Sequence, residues 1–311
     1  MTIEEARGII TDYYLAESHS EDDKFLFVEA HHFLINIFHD PNDMHNLAFH
    51  YAEERNFELY QKYLEMAASY GFLPAFEGLG YVWYYGQTGT VDYEKAFYCF
   101  SEGAKTRDDY LRIGCEYKIA DMYKNGYYVQ KDKAKYKEII ERLFDEISHP
   151  KDLVTIIPQE FISVPGVYFR LAEIKAEEGE THEAIHLLEE ARIQLAEDLR
   201  RNPSWWGNIE EIEAVVLLMY EISIDWSNRW DLYDLFWLSK SECELSFVYN
   251  SCRFTVECIE EDGRIIFKFN NKLYSDIYRF FERAKIGGRP ITAIYSELIE
   301  YEVSFAGGHN K

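Results

Sequence analysis

Two stretches of this 311-residue chain carry one residue pattern forty positions apart, and that repeat restricts the fold more than any other feature. Leu79-Gly80, Trp83, Gly86, Asp92 and Phe100 return as Ile119-Ala120, Tyr123, Gly126, Asp132 and Ile140. A small residue, Gly80 or Ala120, lets one helix approach another closely. A large ring one turn on, Trp83 or Tyr123, fills the groove beside that contact. Gly86 and Gly126 fall where the first helix should end, and glycine adopts the left-handed cap without a Cβ clash. Asp92 and Asp132 fall at the start of the second helix, where a carboxylate accepts its free amide hydrogens. Each forty-residue unit is therefore a helix hairpin, expected to begin near Pro74 and to turn between Gly86 and Val91. It has one face left over for a neighbour, so stacking hairpins into a solenoid buries what each leaves open.

Tyr63-Leu64-Glu65-Met66-Ala67-Ala68-Ser69-Tyr70-Gly71, continued through Ala75, Leu79-Gly80, Trp83, Gly86, Asp92, Ala96, Phe100 and Ala104, resembles the Sel1-like repeat. The next copy departs from the pattern, with Ala120 for the glycine and Tyr136 where Ala96 stands. Leu47-Ala48, Tyr51 and the helix through Tyr60 look like a shortened hairpin before it. Leu171-Ala172, Lys175, Gly179, Ala184, Leu188 and Ala191 are similar to the related tetratricopeptide repeat. The resemblance spans residues 44–202, with an irregular insert near 148–166 where His149-Pro150, Pro158 and Pro165-Gly166 interrupt the helical pattern. It implies a right-handed helix-hairpin solenoid and a scaffold or adaptor that binds proteins or peptides, and it brings no catalytic residues.

Helices are also expected over Ile3 to Ser18, Asp22 to Phe38 and Ile209 to Ile224, the last with Ile212, Val215, Val216 and Met219 on one stripe. Trp226, Trp230, Tyr233, Phe236 and Trp237 then crowd a short connector that reads as interdomain packing. From about Cys243 the hydrophobic period falls to two. Phe254, Val256 and Cys258 alternate with polar residues, Asp262-Gly263 supplies a tight turn, and Ile265, Phe267 and Phe269 alternate on the return strand. A helix from Leu273 to Lys285, stopped by Gly287-Gly288, and a last extended segment through Tyr301, Val303 and Phe305 complete a small α+β domain. The chain thus divides into a helical repeat domain, 1–240, and a small α+β domain, 241–311. Overall it is a mainly α protein.

The formal charge of -24 repels a phosphate backbone, and no basic stripe offsets it, so nucleic acid is excluded as a partner. The start of the chain has no basic patch feeding an apolar run, and no long uncharged apolar stretch occurs, which speaks against a signal peptide and a membrane helix. The five cysteines, Cys99, Cys115, Cys243, Cys252 and Cys258, are odd in number and contain no Cys-x-x-Cys pair. Neither a disulfide framework nor a thiolate zinc site is indicated, and a reducing, cytoplasmic setting fits.

The sharpest chemical motif is His182-Glu183-Ala184-Ile185-His186, the zinc-peptidase spacing of two histidine ligands and a water-activating glutamate, with Glu210 or Glu211 as a third ligand. It lies inside the second helix of the tetratricopeptide-like hairpin, where Ala184 is needed for packing, so flanking repeat histidines are the preferred reading and a metallopeptidase the alternative. The Gly-x-x-Gly from Gly86 to Gly89 and Gly287-Gly288-Arg289 lack the context of a phosphate loop, and no cofactor is expected. The binding surface expected from the first helices of the repeats consists of Tyr81, Tyr84, Tyr85, Tyr117, Tyr127 and Tyr128. Protein or peptide is the expected partner, with a composite cleft against the C-terminal domain. A self-associating structural protein stays open as an alternative.

Overall fold

The structure, a computed structural model, describes residues 1–16, 19–149, 153–155, 164–203, 205–223 and 230–305. The chain folds as two compact units, Met1–Glu160 and Phe161–Lys311. No helix among the described residues is long and apolar enough to cross a membrane.

The first unit consists of helix pairs. Helices α1 (Ile3–Leu15) and α2 (Glu21–Phe38) each open on a reciprocal capping box, Thr2 with Glu5 and Ser20 with Asp23. Then come α3 (Pro41–Glu53) with α4 (Phe57–Ser69), α5 (Pro74–Tyr85) with α6 (Tyr93–Gly103), and α7 (Asp109–Asn125) with α8 (Lys133–Ile147). The packing within each pair dominates, and each pair also touches the next along the chain.

The two central hairpins repeat at the level of single hydrogen bonds. Gly86 and Gly126 take φ of 62° and 76° as C-caps. Gln87 and Tyr127 donate their amides to Val82 and Met122 across the cap at 3.1 and 3.0 Å. The amides of Asp92 and Asp132 reach back to the carbonyls of Trp83 and Tyr123 at 3.0 and 2.9 Å, while their carboxylates cap Lys95 and Lys135. Gly80 is small for the reason its spacing suggests, because a Cβ there would overlap the ring of Phe100. Ala120 is fully buried in the equivalent place.

The second unit starts with α9 (Pro165–Glu177) and α10 (Thr181–Arg201), which turn at Gly179 with φ 82° and bury Ala172, Ala184, Leu188 and Ala191. Pro165-Gly166, read from sequence as an interruption, instead begins α9: Pro165 stands in the first turn, where its missing amide costs nothing. Pro150 and Pro158 lie outside the described residues. Helix α11 (Trp206–Ile222) buries Ile212, Val215, Val216 and Met219.

A 3-10 turn, Leu232–Asp234, and the short α12 (Leu235–Leu238) lead into a five-stranded antiparallel sheet. Its strands are β1 (Cys243–Tyr249), β2 (Cys252–Glu261), β3 (Arg264–Phe269), β4 (Lys272–Tyr274) and β7 (Ile299–Phe305), in the order β4-β3-β2-β1-β7. Three tight turns join the first four, at Asn250-Ser251, Asp262-Gly263 and Asn270-Asn271, and all six residues have positive φ. Two-residue turns of this backbone match the right-handed twist of the strands they join.

The C-terminal helix is shorter than its apolar stripe suggested. Lys272–Tyr274 is a strand drawn into the sheet by the Asn270-Asn271 turn, and α13 spans only Ile277–Arg283, with Asp276 capping it. Gly287-Gly288 does not stop that helix; it turns the small ribbon of β5 (Lys285–Ile286) and β6 (Arg289–Pro290). Phe280 of α13 packs on Phe267 and Phe269, which share the buried face of the sheet with Leu245, Phe247 and Val256.

Candidate partner-binding surface

The tyrosines of α5 and α7 converge on one lysine. Lys118 lies in the middle of α7 and is buried. Its Nζ sits 5.5, 5.3, 5.0 and 5.6 Å from the ring centres of Tyr81, Tyr84, Tyr85 and Tyr117. The ammonium donates to Tyr85 Oη at 2.7 Å and lies 3.5 Å from Asp121. The Tyr85 hydroxyl, a nearby carboxylate and the surrounding tyrosine rings replace the water that a buried ammonium gives up.

The rings are fixed to one another. Tyr81 Oη and Tyr117 Oη are 2.9 Å apart, Tyr81 and Tyr85 are parallel, and Tyr84 meets Tyr85, Tyr93 and Tyr127 edge-on. Tyr127 stacks on Tyr93 at 4.1 Å, and Tyr128 Oη donates to Glu94 at 3.3 Å. Tyr85 and Tyr128 are exposed by 50% and 58%, whereas Tyr81, Tyr84, Tyr117 and Tyr127 are half-buried in ring contacts. Tyr85 is thus the exposed ring of the Lys118 cluster, and Tyr128 is an exposed ring packed on Phe97 of α6. Beside it, Lys95 Nζ lies 3.9 Å from the Trp83 ring centre.

Glu77, one turn before Tyr81 on α5, carries no motif in the sequence, although it is the one acidic residue in an otherwise apolar helix. Its carboxyl lies against the backbone of α7: a Cβ added at Gly114 would come within 2.6 Å of Glu77 Oε1. Burial, with Asp108 adding to it, raises the carboxyl to about 8. Burial also raises the Tyr81 phenol well above its ordinary value, with Tyr117 and Glu77 contributing.

His182 and His186 lie on α10 with both side chains exposed, and Glu183 pairs with Lys175 at 3.3 Å instead of facing a metal site. Ala184 between them is fully buried. Glu211 lies 3.8 Å from Arg170, and no group of three histidine, cysteine or acidic side chains among the described residues, Glu210 included, could hold a metal ion. The spacing of the motif is thus that of a packed helix with two solvent-facing histidines, and it does not support the metallopeptidase alternative.

The aromatic connector has a different setting. Tyr233 and Phe236 are buried against Phe281 of α13, at 5.6 and 4.9 Å between ring centres, and Tyr233 also meets Tyr295 at 4.9 Å. Trp230 and Trp237 stack with Tyr220 of α11. Trp226 lies outside the described residues. Beneath these rings Arg192 of α10 pairs with Asp231 at 2.5 Å and Asp234 at 3.0 Å, Tyr220 donates to Asp234 at 3.1 Å, and Tyr295 donates to Asp231 at 3.3 Å. Burial raises the Asp234 carboxyl, and Arg192 opposes that shift. Tyr278 also donates to Glu213 of α11, and Thr292 to the Pro203 carbonyl at 3.2 Å. Sequence offered no sign of the Arg192 network, because its partners lie 39 and 42 positions away.

No family model matches the chain, and no curated protein matches it. Among solved structures, the chain is similar to a Sel1 repeat protein from Oxalobacter formigenes, at 14% identity and a TM-score of 0.42, over 71% of this chain and 84% of that one. The description of this chain as helical repeats rests on its own hairpins and on the caps they share.

Proposed function

We propose that this chain is a protein- or peptide-binding scaffold whose contact surface is the tyrosine face of α5–α7. The observation that carries the reading is the Lys118 cluster. A cation and four phenols are held without freedom to collapse, and one of the four, Tyr85, is exposed, so the entropy of ordering the surface has already been spent before a partner arrives. Tyrosine supplies large contact area with few rotatable bonds, and such residues dominate the energetic centres of protein interfaces. The acidity of the chain favours a basic partner by long-range attraction.

The test is site-specific photocrosslinking in the native cell. A photoreactive phenylalanine replaces Tyr85 or Tyr128, and the exposed Tyr98 of α6, outside the cluster, serves as the control position. A discrete adduct at 85 and 128 that is absent at 98 is expected. Tyr85→Ala should then weaken binding of the captured partner by roughly tenfold. Equal adducts at all three positions, or unchanged affinity in Tyr85→Ala, would remove the tyrosine face from the reading.

A further inference from the structure

Two of the five cysteines stand directly opposite each other in the C-terminal sheet. Cys243, the first residue of β1, is the register partner of Cys258 in β2. Directly opposed residues of an antiparallel pair have Cα atoms about 4.5–5.5 Å apart, inside the roughly 4.4–6.8 Å that a disulfide spans. Both side chains point to the buried face, and the two thiols are within hydrogen-bonding reach of each other. Both are free thiols here. Cys243 Sγ also contacts the Leu238 carbonyl at 3.6 Å. The pair lies near the end of the sheet where β1 begins, next to exposed Ser241 and Glu242, and both thiols are buried there.

We propose that Cys243 and Cys258 form an oxidative modification site, a cross-strand dithiol that hydrogen peroxide converts to a disulfide and that low-molecular-weight thiols reduce again. The Cys243 sulfur attacks one peroxide oxygen; an S–O bond forms, the O–O bond breaks, and hydroxide leaves as water with the thiol proton. The Cys258 sulfur then attacks the sulfenic sulfur; an S–S bond forms, the S–O bond breaks, and the second water leaves with the Cys258 proton. Two thiols and one peroxide thus give one disulfide and two waters. Cys243 is the first nucleophile: the hydrogen bond from Cys258 lowers its thiol below the ordinary value, against burial and Glu244, and the same contact raises Cys258. Oxidation also removes the S–H group facing Leu238, so the joint between α12 and the sheet changes with the redox state of the pair.

The other three cysteines serve as internal references. Cys252 is exposed and faces Tyr249 across the sheet, while Cys99 and Cys115, buried like the pair, have thiols that burial raises where the Cys243 thiol is lowered. The full-length protein is treated with graded hydrogen peroxide, unfolded, alkylated and mapped by mass spectrometry. The expected product is a linked pair of peptides containing Cys243 and Cys258, abolished by dithiothreitol, with Cys99 and Cys115 still fully alkylated. In Cys258→Ser a dimedone adduct is expected at Cys243. Absence of the linked pair at a dose that oxidises Cys252, or a link from either residue to Cys252, overturns the proposal. The mapping on the unaltered chain decides this even if the variant fails to fold.

Discussion

Glu77 and His45 show how two side chains tie stability to pH in opposite windows. The Glu77 carboxyl rises from 4.5 to about 8 because burial disfavours its charge. Its folded-state value is the higher one, so the folded chain keeps a proton that the unfolded chain has lost. Stability is full below about 4.5 and falls as pH rises toward 8. Glu77→Gln should therefore remove a loss of about 2–3 kcal/mol between pH 5 and pH 9, discounted for partial exposure of the residue. Urea midpoints of the two proteins across that range are the measurement, and parallel curves would contradict it. His45 is lowered from 6.5 to about 4, again by burial. Its contribution is present above 6.5 and is lost as pH falls toward 4, so His45→Phe should flatten the acid limb and leave the alkaline limb alone. Gly80 belongs to the same scale. A methyl there meets the Phe100 ring, and Gly80→Ala should cost about 1–3 kcal/mol despite the higher helix propensity of alanine, read as a lowered midpoint.

Among the elements, those whose signals are local were legible in the sequence. Gly86, Asp92, Gly126 and Asp132 act within a few residues of themselves, so their spacing was enough to place two hairpins and their caps. Asp262-Gly263 marked its turn in the same way. The turn at Asn270-Asn271 was missed because the apolar run after it continues at helical spacing, and only pairing with β3 turns Lys272–Tyr274 into a strand. The spacing of the six tyrosines points to an exposed surface, whereas the contacts of four of them with Lys118 depend on how α7 lies on α5, a long-range fact that no short window encodes. The Arg192 network is the extreme case, since it joins α10, α11, the connector and the 3-10 turn Thr292–Glu297. Truncating one partner of a buried charge pair leaves the other uncompensated. Arg192→Ala should therefore cost about 3–5 kcal/mol, and less in the Asp231→Asn, Asp234→Asn background; an additive triple variant would show that the pairs are not coupled.

For the chain as a whole, the sheet and the helices α9 to α11 share one compact unit. A sheet of five short strands supplies a modest core of its own, and the connector rings of Tyr233 and Phe236 bury their area against α13 and its surroundings, each worth about 2 kcal/mol before ordering costs. A chain ending at residue 240 should consequently lose amide-exchange protection in α11 and expose those rings to a hydrophobic dye. Unchanged protection would show that the helices stand without the sheet. The first unit has another character, because its helices bury themselves chiefly against partners adjacent in the chain. Nearly every contact there closes a loop of a few tens of residues, so little chain entropy must be surrendered before a contact forms. Such a topology folds quickly, from any hairpin outward, and its stability accrues one neighbour at a time. The sheet has to wait for β1 to meet β7, strands separated by every element from β2 to the 3-10 turn Thr292–Glu297. During synthesis the hairpins of the first unit can therefore be complete while the last strand is still unmade, and the rings of Tyr233 and Phe236 then have no α13 to receive them.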